Sequence, residues 1–352
     1  MRERIHGGNW AAYEREYGKR PLDFSANVSP LGVPEGVREA IRGAAGEIDR
    51  YPDPACHDLC EAIARHEGRK PEQVLCGSGA SDLLYRAVYA IRPRHALITA
   101  PCFGEYEAAL ETVGCSLTRA PLGDMFRINE SFLTLIDNKI DLIILCQPNN
   151  PSGITIDPSI LRRIIAHSAG RHGAPCRVLV DECFVDLLDD PEAYSVKRLL
   201  TEYRNLMLLR AFTKSYGLAG VRLGYALCSD QALLEDMRRA GPPWAVSQPA
   251  IAAGLAALRE KDYIARVREL MRTERPWLRE QLRALGLTVV PGEANFLLFR
   301  SETPLLAPLR ERGILLRGCG DFTGLDDTWY RAAVRTREDN ERLIAALREV
   351  LA

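Results

Sequence analysis

Apolar residues in this chain fall into two kinds of run. Short stretches rich in Leu, Ile, Val and Cys lie at residues 73–76, 95–99, 140–146, 177–180, 205–209 and 222–228. Several are almost unbroken by polar positions, which is how strands buried on both faces read. Between them, apolar residues recur at helical spacing near 81–91, 105–113, 158–169 and 231–239. Strand–helix alternation of this kind predicts a mostly parallel sheet covered on both sides. The last third differs. An amphipathic helix pattern spans 264–285, strand-like runs follow at 288–290, 295–299, 314–317 and 330–334, and a helix pattern over 337–351 closes the chain. The expected organisation is an N-terminal segment 1–40 too poor in apolar surface to stand alone and packing on both domains, then a large α/β domain and a small α+β domain.

Charge and composition remove several function classes. The 352 residues carry 46 Lys plus Arg against 47 Asp plus Glu, a net charge of −1. Non-specific nucleic-acid binding needs a basic excess that is absent here. No stretch approaches the roughly 20 apolar residues of a membrane span. The N-terminal residues have no apolar core of the secretory-signal kind. The ten cysteines form no C-x-x-C pair, and several sit inside apolar runs, where a thiol behaves as a small hydrophobe. A metal site or disulfide framework is therefore not expected, and the cytoplasm is the default compartment.

Ligands of open α/β sheets sit beyond the carboxyl ends of the strands, which directs attention to the loops there. The run 177–180 ends in Asp181, a carboxylate that needs a cationic partner or hydrogen bonds if buried. The run 205–209 is followed by Ala211-Phe212-Thr213-Lys214-Ser215, where a desolvated lysine is a candidate amine nucleophile. Arg222 stands eight residues further on. After 73–76 comes Gly77-Ser78-Gly79-Ala80-Ser81-Asp82, a glycine-rich turn opening a helix and offering N–H groups to an anion. After 140–146 comes the polar turn Gln147-Pro148-Asn149-Asn150-Pro151-Ser152-Gly153. An amine for an aldehyde, a carboxylate for a ring nitrogen, and a helix end with an arginine for a phosphate are together the needs of pyridoxal phosphate.

These segments carry a resemblance. The run Thr213-Lys214-Ser215-Tyr216-Gly217-Leu218-Ala219-Gly220-Val221-Arg222-Leu223-Gly224-Tyr225, with Pro148-Asn149-Asn150-Pro151-Ser152-Gly153 and Val180-Asp181-Glu182, resembles the aspartate-aminotransferase-like superfamily of pyridoxal-phosphate enzymes, over essentially the whole chain. The resemblance implies that α/β fold, with a mostly parallel seven-stranded sheet in a large domain 41–250 and a small α+β domain 251–352. It also implies that Lys214 links to the cofactor and moves protons at Cα, while Asp181 keeps the ring nitrogen protonated and Asn150 bonds the ring 3-oxygen. Gly79, Ala80, Ser81, Thr213 and Arg222 would bind the cofactor phosphate, and Phe103 would stack on the ring. Tyr51, in Arg50-Tyr51-Pro52-Asp53, matches a tyrosine that reaches the cofactor phosphate of the neighbouring subunit, which implies a homodimer with shared sites.

Two subfamilies acting on phosphorylated amino compounds are similar across the chain: histidinol-phosphate aminotransferases, and the threonine-phosphate decarboxylases of cobalamin biosynthesis. The opening His6-Gly7-Gly8-Asn9, the run Asp23-Phe24-Ser25-Ala26-Asn27-Val28-Ser29-Pro30, and Phe184 in place of a tyrosine able to donate to the 3-oxygen look like the decarboxylases. By the same resemblance Arg331 would bind the substrate carboxylate. Arg335, expected on the same strand face, is a candidate for the substrate phosphate, with His6, Asn9 and Asn27 as further contacts. The expected reaction is decarboxylation of L-threonine O-3-phosphate; transamination of histidinol phosphate and decarboxylation of L-serine O-phosphate are the alternatives. A non-catalytic cofactor-binding regulator finds no support in the balanced charge, and a structural protein with a degenerate site would not need Lys214 and Asp181.

Overall fold

A computed structural model describes residues 6–170 and 176–352 of the chain. Its strands in chain order are β1 Leu22–Asp23, β2 Val74–Gly77, β3 His95–Ala100, β4 Ser116–Pro121, β5 Leu142–Cys146, β6 Arg177–Asp181 and β7 Leu206–Ala211. They continue with β8 Gly224–Cys228, β9 Thr288–Val289, β10 Phe296–Arg300, β11 Ile314–Leu315, β12 Arg317–Gly318 and β13 Trp329–Ala333. Seven strands form one sheet in the order β2-β8-β7-β6-β5-β3-β4. The strands from β7 to β4 run parallel, and β8 lies antiparallel to both of its neighbours. This is the mostly parallel sheet expected from the pattern, with the seven strands that the resemblance implies.

Burial explains why the central strands read as unbroken apolar runs. Along β5, Ile143 and Leu145 join one apolar cluster while Leu142, Ile144 and Cys146 join the other, so both faces are covered. Each such side chain contributes about 1.5–3 kcal/mol when taken fully out of water. The edge strand β4 has no counterpart among the expected runs. Most of its residues keep some contact with solvent, and its sequence Ser-Leu-Thr-Arg-Ala-Pro carries too few apolar positions to be read as a run. Helix ends follow local chemistry. Helix Pro158–Ala169 starts where Asp157 accepts from the Ser159 and Ile160 amides, with proline in its first turn, and ends at Gly170.

A second, antiparallel sheet has the order β12-β13-β10-β9. The single run expected at 314–317 is two strands. Ile314–Leu315 pairs in parallel with β1, while Arg317–Gly318 pairs with β13 and sets Arg317 opposite Arg331. The segment before residue 35 is stitched to both halves: the Ala333 amide of β13 donates to Phe24 O at 2.8 Å, and the Ser29 amide donates to Lys214 O, just after β7, at 2.9 Å. Helices Glu35–Ala44 and Gln248–Ala257 run through positions 40 and 250 and pack on each other, so a boundary at either position would cut a helix. No described helix is long and apolar enough to cross a membrane.

Candidate active site

The carboxyl ends of β5, β6 and β7, the turn after β2 and the wall of the smaller sheet surround one cavity of about 620 Å³. Asp181 ends β6 and is buried. A bare carboxylate there would be costly, and two donors remove the cost. The Tyr106 hydroxyl donates to Oδ2 at 2.7 Å and the Cys183 amide to Oδ1 at 3.0 Å. Burial and the Asp181 charge push the Tyr106 phenol well up, so it stays a donor. Lone pairs of both carboxylate oxygens remain for a third partner inside the cavity.

Lys214 sits in the helical turn Phe212–Ser215 directly after β7 and lines the same cavity. Its pKa is lowered, first by burial and then by the Arg331 and Arg222 guanidiniums; the Asp181 and Cys183 side chains oppose this in part. A neutral amine is the nucleophilic form. The Nζ atom stands 5.7 Å from the centre of the Phe184 ring.

The anion cradle is built by close backbone approach. Gly79 has φ +86, and a Cβ there would lie 2.7 Å from an Arg222 nitrogen. A Cβ on Gly224 would lie 2.6 Å from the Ala80 amide nitrogen. Only glycine lets β8 and the preceding Arg222 pack against the first turn of helix Ala80–Ile91, where N-terminal amides are available to an anion. Ser81, Thr213 and Arg222 line that end of the cavity. Phe103 lines it too, set edge-on to Tyr106 at 5.6 Å. A buried amine with a lowered pKa, a buried carboxylate and a cradle that a Cβ would fill match the aldehyde, ring nitrogen and phosphate of pyridoxal phosphate. The residues present fit that group.

The opposite wall is cationic. Arg331, on β13, donates to Asn150 Oδ1 and to Ser25 O, the latter at 3.1 Å, and its buried Nε has no hydrogen-bond partner. Burial pulls its pKa down to about 10, with the neighbouring Arg317 acting in the same direction, and it stays protonated at neutral pH. Arg317 is buried, lines the cavity, pairs with Asp321 at 2.7 Å and covers the Phe322 ring at 5.0 Å. Asn27 lines the cavity with its Oδ1 unpartnered, and His6 lines it from the N-terminal side.

Three predicted contacts lie elsewhere. Arg335 is outside the cavity: its Nε donates to Asp339 at 2.9 Å, its Nη1 donates to Asp23 O at 3.2 Å, and its guanidinium lies over Phe24. The reason is that β13 ends at Ala333, after which the Arg335 amide donates to Asn340 and the chain turns into helix Arg337–Leu351, so strand alternation no longer applies. Asn9 is exposed and caps helix Trp10–Tyr17 by accepting from the Ala12 amide at 3.3 Å. Tyr51 is 80% exposed and packs on Trp244 at 4.7 Å, away from this chain's own cavity. Arg317 and Tyr106 are additions to the expected set. The signal for Arg317 is present in the sequence: a charge ending an apolar run, the same criterion that picks out Asp181. Tyr106, one helical turn past Phe103, gives none of its own.

The chain matches the family model "Aminotransferase class I and II" over residues 19–347. It is 35% identical to the threonine-phosphate decarboxylase of Salmonella typhimurium over 98% of this chain and 96% of that protein. It is 33% identical to histidinol-phosphate aminotransferase 2 of Archaeoglobus fulgidus over 94% of each. Among solved structures it is similar to the histidinol-phosphate aminotransferase of Sinorhizobium meliloti in complex with pyridoxal-5'-phosphate, with a TM-score of 0.88 and 25% identity over 99% of this chain and 95% of that one.

Proposed function

From the premise that this chain belongs to the class I and II aminotransferase family, whose cofactor is pyridoxal phosphate, we propose that it is a decarboxylase converting L-threonine O-3-phosphate to (R)-1-aminopropan-2-ol O-phosphate for the nucleotide loop of cobalamin. The observation that carries the reading is the pair of buried guanidiniums, Arg317 and Arg331, on one wall of the cavity. Threonine phosphate presents two anions, a carboxylate and a phosphate. Histidinol phosphate presents one. The 33% identity to a histidinol-phosphate aminotransferase keeps transamination as the second reading.

When bound, pyridoxal phosphate supplies the electron sink for the bond broken at Cα. This chain's residues do the rest. Asp181 accepts from the ring N–H and keeps that proton in place. Asn150, its Oδ1 engaged by Arg331, has its amide N–H groups left for the ring 3-oxygen. Gly79, Ala80, Ser81, Thr213 and Arg222 hold the cofactor phosphate, and Phe103 packs on the ring. Arg331 and Arg317 grip the substrate's two anions, with Asn27 and His6 beside them. How those anions are held decides which bond at Cα stands ready to break, so positioning sets the reaction type. The Lys214 ammonium then returns a proton to Cα where carbon dioxide has left.

In the same reading the protein is a cytoplasmic homodimer, and Tyr51 reaches the cofactor phosphate of a second copy. The exposed Tyr51–Trp244 pair and the absence of any disulfide among the ten cysteines support it. The N-terminal segment, the cofactor domain and the smaller C-terminal domain keep the expected order, with boundaries at the ends of helices Glu35–Ala44 and Gln248–Ala257.

The test is a product assay. Threonine phosphate, serine phosphate and histidinol phosphate are supplied separately, with and without 2-oxoglutarate, and carbon dioxide, amine and carbonyl products are measured. Carbon dioxide with aminopropanol phosphate supports the reading; a carbonyl product that requires 2-oxoglutarate replaces it by the aminotransferase. Two variants check the anion wall. Arg317→Ala is expected to raise the KM for threonine phosphate by about 30-fold or more, the scale of losing a buried charge-assisted contact. Arg335→Ala is expected to change it by less than about threefold, because its ion pair with Asp339 lies outside the cavity. Equal effects of the two would contradict this placement.

A further inference from the structure

Three acidic side chains of helix Glu105–Glu111, Glu105, Glu107 and Glu111, border the cavity that receives an anionic substrate in this reading. Such carboxylates repel the ligand unless their charge is taken up. Glu107 is taken up by Arg119, whose Nε and Nη2 donate to it at 2.9 Å each. Glu105 is taken up differently. Its Oε2 accepts from the Tyr85 hydroxyl at 3.1 Å, and its Oε1 lies 3.1 Å from Nε2 of His6. Tyr85 belongs to helix Ala80–Ile91, the helix that opens the cofactor cradle. The carboxylate therefore ties the cradle helix to the N-terminal segment.

That segment is fixed at its other side as well. A Cβ on Gly7 would lie 2.0 Å from Ser25 O, so the backbone there is in contact with residue 25. The Gly8 amide donates to Ser25 Oγ at 2.8 Å, and Ser25 O accepts from Arg331. His6, Gly7 and Gly8 thus form a short strap across the cavity, from Glu105 at one end to the support of Arg331 at the other. The His6 ring stands edge-on to Phe103 with centroids 6.3 Å apart. Because a carboxylate only accepts, Nε2 carries the hydrogen toward Glu105. That contact fixes the ring at the cavity it lines.

We propose that Glu105 is a positioning residue that holds the His6 imidazole over the cavity as part of the grip on the substrate phosphate. The inference rests on the phosphorylated-substrate reading above, and it assigns no chemistry to Glu105 itself. The helical turn Phe103–Tyr106 then has three tasks: Phe103 on the cofactor ring, Tyr106 on Asp181, and Glu105 on the strap.

The test is a titration of the holoenzyme with 2-aminoethyl phosphate, followed by calorimetry. The probe carries an amine and a phosphate but no carboxylate, so its binding does not depend on which bond the enzyme breaks. Glu105→Ala and His6→Ala are each expected to weaken binding about tenfold, and the double variant to be no more than about twofold weaker than either single one, since the two act as one unit. Glu105→Gln, which keeps an acceptor for His6, is expected to recover affinity to within about threefold of the unaltered protein. The visible absorbance of the bound cofactor is expected to be the same in all of them. Multiplied losses in the double variant, no loss in either single one, no recovery in Glu105→Gln, or no binding of the probe to the unaltered holoenzyme would overturn the proposal. Failure of the decarboxylase reading is a separate event, seen only as a carbonyl product in the assay above.

Discussion

Lys214→Ala is expected to lower turnover of the holoenzyme by about 10⁴-fold or more, the loss that follows when a nucleophile and a proton carrier are removed together. The amine has two tasks in the proposed reading, and among the described residues that line the cavity it is the one lysine. In that reading it is the group that links to the cofactor, and its surroundings keep it ready. Burial lowers its pKa, and the guanidiniums of Arg222 and Arg331 push the same way. It is also the buried amine at the cavity wall able to return a proton to Cα. Lys214→Arg is expected to be as inactive as alanine, because a guanidinium holds its proton and cannot serve as the nucleophile. Single-turnover rates and the visible absorbance of the purified variants check this. A variant that kept a tenth of the activity would place the reaction on another group.

Much of this site is legible in the sequence because its residues break local rules. Asp181 ends an apolar run and Lys214 follows one, and neither belongs there unless something uses it. Gly79 and the turn around it are legible for the same reason: a glycine-rich turn at a helix start is an anion site in waiting. The central strands are legible because burial on both faces leaves a continuous apolar run. The misses have physical causes as well. β4 is an edge strand whose solvent contact dilutes its pattern. Arg335 is misplaced by extending strand alternation past Ala333, where the hydrogen bonding passes to a helix cap. Asn9 carries the ordinary signature of a helix cap, and that is the role it takes. Arg317 carries the same signal as Asp181, a charge ending an apolar run, but the run at 314–317 serves two different partner strands, and the break at Leu316 cannot be seen in hydropathy. What reaches across the molecule, such as Tyr106 to Asp181 over 75 residues of chain, leaves no local trace.

Asp181→Asn tests the electronic half of the site. The substitution keeps size and shape, so the cavity and its packing are expected to survive. In the proposed reading it removes the negative charge that favours a protonated ring nitrogen. Within a buried wall such a charge acts with little screening. If that charge contributes about 4 kcal/mol to the rate-limiting step, turnover falls about 10³-fold. The hydrogen bonds present give the control. The Cys183 amide can donate only to an oxygen, so the carbonyl of the introduced carboxamide is expected to turn toward it and place its NH₂ beside Tyr106, whose hydroxyl can accept as well as donate. Little local strain follows, and a loss of activity then reports charge rather than misfolding. Tyr106→Phe removes one donor and leaves the carboxylate ionised against the Cys183 amide. It is expected to cost only about tenfold, the scale of one charge-assisted hydrogen bond. Steady-state kinetics of the two variants, with cofactor affinity measured beside them, separate the cases. If Asp181→Asn and Tyr106→Phe were equally impaired, the carboxylate would be acting as a packing element, and the ring nitrogen would have to find its partner elsewhere.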